Sequence, residues 1–526
     1  MLPAAAADTP EAEAGYFRQG AAPLAISLTQ PHQRDLTALA DLLTLSAAAL
    51  AIRAALIAAR SLWFDEVFSV EIARAPLSQG LALLRTDAHP PLYYLLLHAW
   101  LRLGDSPAAV RGLSLLFGTL TVALTYLFAR RVGGRGLGLG AGLLLAASAL
   151  AVQSSVEARM YALLGCFTLA ATWALWEAAA RQRPKLWIVY AVVLTVAIYL
   201  DYFAFLLVPV HVAYVAWTSR ADARALRGLL LALGGALVAY GPWWPSLADQ
   251  FVRGHLATFW NGRMPLTAPL DTVALAAFGG RLLGLGDYLI GSGRVTAWQL
   301  LLVLPFLALV LLGTRCLSRR EDGALLLACW AVPLIVLIGA SLFTGIHYAV
   351  PRYGGFLQPF FAVLLASGVL RVARVRVGAG LPVVLLAAIV ALNLSVLAAG
   401  ARGSHPFDWA AAARHIDQRW QEGDGVLFYP HTARLVFGYY FRRSGAPVLT
   451  LYPPYQRGGG EAVDMRRTLP VVPTLLPGAR RVWVVLTVPT PAGSTEALLS
   501  AMGRWYRLSE AQDFHYVWIY LFEKPR

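Results

Sequence analysis

From residue 36 to about residue 398 the chain is a series of apolar runs separated by short arginine-bearing segments. Each run is near the ~20 residues that a helix needs to cross a bilayer. In hydrocarbon every backbone N–H and C=O must be satisfied internally, so runs of this length fold as helices. Composition agrees, with 58% of the 526 residues hydrophobic and 14% charged, against about 45–50% and 25% in soluble domains. A cytosolic enzyme, a disordered chain and a fibrous repeat are therefore excluded, and membrane lipids are the expected surroundings. The formal net charge of +15 is almost all arginine, because lysine occurs only at Lys185 and Lys524. Those arginines sit between apolar runs and form no stripe or groove, so no nucleic-acid partner is expected. Cys166, Cys316 and Cys329 lie in or beside apolar runs, with neither metal-ligand spacing nor an even set for a disulfide framework. Residues 1–35 lack the ordered basic, apolar and small-residue parts of a signal peptide, and are expected as a cytoplasmic tail.

Charge then orients the runs, because cytoplasmic loops are enriched in lysine and arginine. Five loops each carry three basic residues: Arg130/Arg131/Arg135, Arg181/Arg183/Lys185, Arg220/Arg224/Arg227, Arg315/Arg319/Arg320 and Arg371/Arg374/Arg376. The opposite loops carry only Arg159 in 154–160, none in 201–202, and Arg352 alone in 344–355. With the clusters inside, spans are expected near 36–57, 108–129, 137–153, 161–179, 186–200, 203–218, 228–241, 297–314, 323–343, 356–370 and 380–398. The prediction is a polytopic α-helical membrane protein of about eleven transmembrane helices, N-terminus inside. Segments 91–103 and 268–290 are apolar but short or broken, and read as re-entrant or interfacial helices.

After residue 400 the pattern changes. Asp408–Trp420, His431–Arg443 and Thr495–Trp505 read as helices, and Gly425–Pro430, Val448–Tyr452, Arg481–Thr487 and Val517–Glu523 as strands. Alternating strands and helices predict an extracytoplasmic α/β domain over 401–526. It has no Gly-rich phosphate loop, and its function is not readable.

Ionisable residues at membrane depth are costly, so each that persists is a candidate for function. The first outer loop, 60–107, holds Trp63-Phe64-Asp65-Glu66 and the run Asp87-Ala88-His89-Pro90-Pro91-Leu92-Tyr93-Tyr94. Adjacent Asp65 and Glu66 point different ways on any regular element, so only one can face a given site. Such an acid is either a general base for a hydroxyl or part of a solvated interfacial loop. His89 is a ligand, a base, or a hydrogen bonder at a helix start whose first turn the prolines set. Glu157 and Tyr161, four apart, would share a helix face with Arg159 off it. Arg159 then meets a phosphate or closes a helix end by pairing with Glu157. Asp201, beside Tyr202 in a tight turn, either caps the next helix or lines the same cavity. Arg352, with Tyr353, stands against the outside charge bias before a helix, and either binds an anionic headgroup or snorkels. All five sets fall on one membrane face, which suits transfer of a group from a lipid phosphate to an external hydroxyl.

In chain order, Leu62-Trp63-Phe64-Asp65-Glu66, His89-Pro90-Pro91-Leu92-Tyr93-Tyr94, Glu157-Ala158-Arg159-Met160-Tyr161-Ala162-Leu163 and Pro351-Arg352-Tyr353 resemble motifs of the GT-C glycosyltransferases. The branch is that of bacterial relatives of protein O-mannosyltransferases and lipid A aminoarabinose transferases. Tyr199-Leu200-Asp201-Tyr202-Phe203 and Tyr240-Gly241-Pro242-Trp243-Trp244-Pro245 look like the same branch, and the resemblance spans about residues 36–400. It implies a GT-C-like domain carrying out inverting transfer of a sugar from a polyprenyl-phosphate-linked donor to a glycan, lipid or protein acceptor. The reaction would take place outside the bacterial inner membrane. Asp65 then matches the general base, with Glu66 and Glu157 as further acids of the site. Arg352, Arg159 and Tyr353 would hold the donor phosphate, while Asp87, His89, Tyr93, Tyr161, Asp201 and Tyr202 line the site. Glu157 stands where some relatives would carry Asp, and would orient the acceptor or Arg159. No cofactor and no metal are implied. Two other readings stay open: a lipid-linked sugar flippase or transporter, which would place its charges at the midplane of repeated halves, and a ligase using a polyprenyl-diphosphate glycan donor.

Overall fold

The computed structural model describes residues 31–58, 60–85, 87–219, 223–252, 273–274, 276–277, 297–317, 320–344, 348, 351–372, 380–402, 407–441, 443, 448–451, 476, 478–488 and 493–525. Every expected span falls on helix, and among the described residues fewer than eleven of these helices are long and apolar enough to cross a membrane by themselves. Six described helices are long and apolar enough to cross a membrane, or up to eight if each of two bent pairs is one span. Pro184–Leu200 and Tyr202–Thr218 fall short. The 17 residues of Pro184–Leu200 rise only about 25 Å at about 1.5 Å each, under the ~30 Å hydrocarbon thickness.

Local chemistry sets the helix boundaries. Helix Pro107–Gly133 starts with proline in its first turn, Ser106 Oγ accepting from Ala109 N–H, and ends at Gly134 with φ 87°. The run expected as one span at 137–153 is two helices, Arg135–Ala147 and Ala149–Ser155, bent by 63°. Ser148 makes the bend: its ψ of 118° leaves the helical region, and its hydroxyl accepts from Ala151 N–H as the new cap. Helices Ala297–Cys316 and Gln358–Val372 touch backbone to backbone. A Cβ at Gly313 would overlap the carbonyl of Leu364, and one at Gly368 that of Leu309. Small residues permit this kind of approach between membrane helices.

Segment 91–103 is the short helix Leu92–Trp100 followed by the turn Leu101–Leu103. It is packed inside the protein, with Tyr93, Tyr94 and Leu97 buried. Of 268–290 only residues 273, 274, 276 and 277 are described, so the expectation there lies outside the described residues.

The tail is a five-stranded sheet in the order β2-β1-β3-β5-β4. The strands are β1 (Gly425–Tyr429), β2 (Val448–Thr450), β3 (Arg481–Thr487), β4 (Arg507–Asp513) and β5 (Val517–Glu523). β1 is parallel to β2 and β3, and β5 is antiparallel to β3 and β4. Helices Trp409–Arg419, Thr432–Tyr440 and Ser494–Gly503 accompany it. β4 is the strand that the sequence reading missed. It is a mostly exposed edge strand whose RLSEAQD has no apolar alternation, because one partner strand and no core face are all it has. Helix Gly380–Arg402 runs through the expected boundary at 400/401.

Successive strand residues face opposite sides. Leu427, Tyr429, Val484 and Leu486 pack with Leu498 and Met502. On the other face Val426, Phe428, Trp483 and Val485 share one core with Trp409, Val436 and Phe437, and with Leu62, Val67 and Val70 of the first loop. The tail thus buries the back of helix Phe64–Arg74, and both lie on the same side of the bundle. Tyr440 Oη accepts from Leu62 N–H, and Ser61 Oγ donates to Asp408 at 3.2 Å.

Candidate active site

The site is built around the start of helix Phe64–Arg74, where the Glu66 side chain caps the first turn: its Oε2 accepts from Trp63 N–H at 3.2 Å. The adjacent acids separate, as one helical position of rotation requires. Glu66 is fully buried and Asp65 is 23% exposed.

Glu66 is occupied by structural bonds. Its carboxylate takes Arg111 Nε and Nη2 at 2.7 Å each and Ala158 N–H at 2.8 Å. Arg111 spends its other N–H bonds on the carbonyls of Ile57, Arg60 and Ser61, at 2.9, 2.9 and 3.0 Å. All five guanidinium donors are used, which satisfies a buried pair that would otherwise be very unfavourable. One ion pair therefore ties the end of the first span, the Asp65 helix and the 156–160 turn together. Glu66 thus differs from Asp65 in having its whole carboxylate engaged by the fold. Arg111 was missed by sequence reading, although an arginine inside an apolar run is itself a signal.

Asp65 faces the other way. Its Oδ2 lies 3.3 Å from Arg352 Nη1. Arg352 sits over the ring of Trp63 at 4.9 Å and that of Tyr353 at 5.2 Å, and Nη2 donates to Tyr353 Oη at 3.4 Å. Its Nε has no hydrogen-bond partner among the described residues. Its side chain is 15% exposed; a guanidinium so enclosed is not snorkelling. Tyr353 in turn packs against Tyr161 and Phe203, with ring centroids 6.0 and 5.4 Å away.

Glu157 and Tyr161 do not share a helix face, because residues 156–160 form a turn and helix Tyr161–Arg181 begins after it. Glu157 makes no ion pair with Arg159 among the described residues, and its buried Oε2 has no hydrogen-bond partner. Burial pushes its pKa up to about 7, with Arg352 opposing the rise and the charges of Glu66 and Asp65 adding to it.

Arg159 reaches away from Glu157. Nη1 donates to Ser69 Oγ at 3.2 Å and to Tyr94 Oη at 3.3 Å, and Nη2 lies 2.9 Å from His89 Nε2. His89 Nδ1 is 2.9 Å from Asp87 Oδ2. Burial opposes ionisation of Asp87, yet the hydrogen bond from His89 and the charge of Arg159 outweigh it and hold the carboxyl below its usual range. Tyr93 is fully buried, edge-on to Tyr94 at 5.7 Å.

Asp201 caps the next helical turn: its Oδ1 accepts from Phe203 N–H at 2.9 Å, and burial raises its pKa. Tyr202 is drawn off to a separate anchor: it donates to Gln250 Oε1 at 2.6 Å and accepts from Trp243 Nε1 at 3.0 Å. The structure thus brings together Asp65, Glu157, Arg159, Arg352, Tyr353 and Tyr161, backed by Asp87, His89, Tyr93 and Asp201. Among the described residues no three His, Cys, Asp or Glu side chains lie close enough to hold a metal ion.

The helix bundle with its α/β tail is similar to known proteins. Residues 88–245 match the family model described as dolichyl-phosphate-mannose-protein mannosyltransferase. No curated protein matches the chain. Among solved structures it is similar to ArnT from Cupriavidus metallidurans bound to undecaprenyl phosphate. The likeness has 16% identity, covers 93% of this chain and 98% of that one, and has a TM-score of 0.56. The apo state of the same protein gives 15%, 92% and 98%, and 0.57. The apo oligosaccharyltransferase of Archaeoglobus fulgidus gives 12%, 91% and 74%, and 0.56. The fold is that of the GT-C membrane glycosyltransferases, as the motifs led us to expect.

Proposed function

We propose that this protein is a multi-pass membrane glycosyltransferase that moves a sugar from a polyprenyl-monophosphate donor to a hydroxyl of a glycan, lipid or protein. The observation that carries the reading is the 3.3 Å pair of Asp65 and Arg352. It puts a carboxylate able to take a proton beside a guanidinium whose planar fork suits phosphate oxygens. The ArnT structure described as bound to undecaprenyl phosphate shares this fold and supports a lipid phosphate as the donor's anchor.

In this reading the acceptor oxygen attacks the anomeric carbon from the face opposite the phosphate, inverting it. As the new C–O bond forms, the bond to the phosphate oxygen breaks and its electron pair leaves on the phosphate. Asp65 takes the hydroxyl proton. Phosphate is already a good leaving group, so the site's main work is positioning and charge stabilisation by Arg352 and Arg159. Glu157, whose carboxyl feels the charges of both arginines, orients the acceptor hydroxyl. Residues 1–35 would lie on the cytoplasmic side of the bacterial inner membrane, and the site and residues 401–526 on its outer side.

Purified protein in liposomes, offered a panel of polyprenyl-phosphate sugars and acceptor extracts, tests the reading. Consumption of a monophosphate-linked sugar is expected. Turnover of a diphosphate-linked glycan alone, or movement of a lipid-linked sugar across the bilayer without transfer, would overturn it.

A further inference from the structure

Arg159 is a buried guanidinium whose hydrogen-bond partners among the described residues are neutral hydroxyls and one imidazole, with no carboxylate in direct contact. A guanidinium can only donate, so the 2.9 Å contact requires His89 Nε2 to accept. The ring proton therefore resides on Nδ1, where it donates to Asp87 Oδ2, also at 2.9 Å. The backbone after His89 is stiffened by Pro90 and Pro91, and helix Leu92–Trp100 follows at once.

We propose that His89, in the Nδ1–H tautomer set by Asp87, is a positioning residue that aims Arg159 at the donor phosphate. The chain Asp87–His89–Arg159 fixes one arm of the guanidinium, Ser69 and Tyr94 fix the other, and Nε has no hydrogen-bond partner among the described residues. A buried donor without a partner is rare, and it fits a ligand oxygen. The inference rests on the reading that Arg352 and Arg159 together hold a lipid phosphate.

The two amide substitutions of histidine separate the ring's two nitrogens. The oxygen of His89→Gln reaches the place of Nε2 and keeps an acceptor for Arg159; the shorter amide of His89→Asn reaches only the place of Nδ1. Affinity for undecaprenyl phosphate is measured on the full chain in lipid nanodiscs. His89→Asn should weaken it about tenfold or more, the scale of losing one hydrogen bond to a charged group. His89→Gln should stay within about threefold of wild type. Asp87→Ala, which frees the tautomer without touching Arg159, should weaken binding in the same direction and decides the matter if His89→Asn does not fold. Equal behaviour of the two histidine variants, harmless or harmful, would overturn the proposal. Arg352→Ala is the control: if both it and His89→Asn leave affinity unchanged, the phosphate-site reading fails. If it weakens binding while the folded His89→Asn does not, the positioning role alone fails.

Discussion

Asp65 Oδ2 and Arg352 Nη1 are 3.3 Å apart, so the carboxylate proposed as base and the guanidinium proposed as phosphate holder neutralise each other directly. In the proposed reading, a phosphate arriving at Arg352 would replace the carboxylate as its counter-charge and leave Asp65 able to take a proton. The base would then become available when the donor is in place.

Arg352 should accordingly be a determinant of donor affinity. Arg352→Ala is expected to weaken binding of a polyprenyl phosphate roughly 10–100-fold, and Arg352→Lys to recover only part, because lysine offers one compact charge in place of a planar fork. Thermal unfolding measured on the same samples separates a binding loss from a folding loss. Equal affinity in the alanine and wild-type proteins would move the phosphate site to Arg159.

The Glu66–Arg111 pair should govern stability. Removing one member of a buried pair leaves an uncompensated charge, a loss of about 3–5 kcal/mol. Arg111→Ala is therefore expected to lower the thermal unfolding temperature sharply. The double variant Glu66→Met/Arg111→Leu, which removes both charges, should regain much of that loss. If the double variant is worse than Arg111→Ala, the pair does more than close the fold.

Glu157 gives the fold a pH dependence of known sign. Its pKa in the folded protein is about 7, against an ordinary value of 4.5, because burial disfavours the charged form. Between those values the folded state holds a proton that the unfolded state has lost, so stability falls as pH rises. Thermal unfolding from pH 5 to 8 should show wild type losing stability relative to Glu157→Gln. Parallel curves would mean that Glu157 is solvated.

The positive-inside pattern makes a separate claim about sidedness. A reporter active only outside the cytoplasm, fused after Arg526, is expected to work. The tail and the Asp65 helix share one hydrophobic core, so the reporter also fixes the side of the site. Activity of a cytoplasmic reporter there would invert the topology.

What could be read in the sequence follows from which forces are local. Spanning a bilayer writes long apolar blocks, and the buried strands Gly425–Tyr429 and Arg481–Thr487 write short ones, so both were legible. β4 left no such mark because it is mostly exposed. Asp65, Arg352 and Arg159 stood out as charges at membrane depth. Their partners did not, because Arg352 meets Asp65 and Arg159 meets His89 only through tertiary packing. Spacing misled at Glu157 and Tyr161, since the 3.6-residue rule applies only where the backbone is helical.

The most direct test of the central claim is the turnover of Asp65→Asn, measured with the donor that the liposome panel identifies, alongside its affinity for undecaprenyl phosphate. The substitution keeps shape and removes basicity. Turnover should fall at least about 10²-fold, the lower end for general base catalysis, while lipid-phosphate binding persists. Near-normal turnover in the folded variant would contradict the assignment of Asp65 as the base.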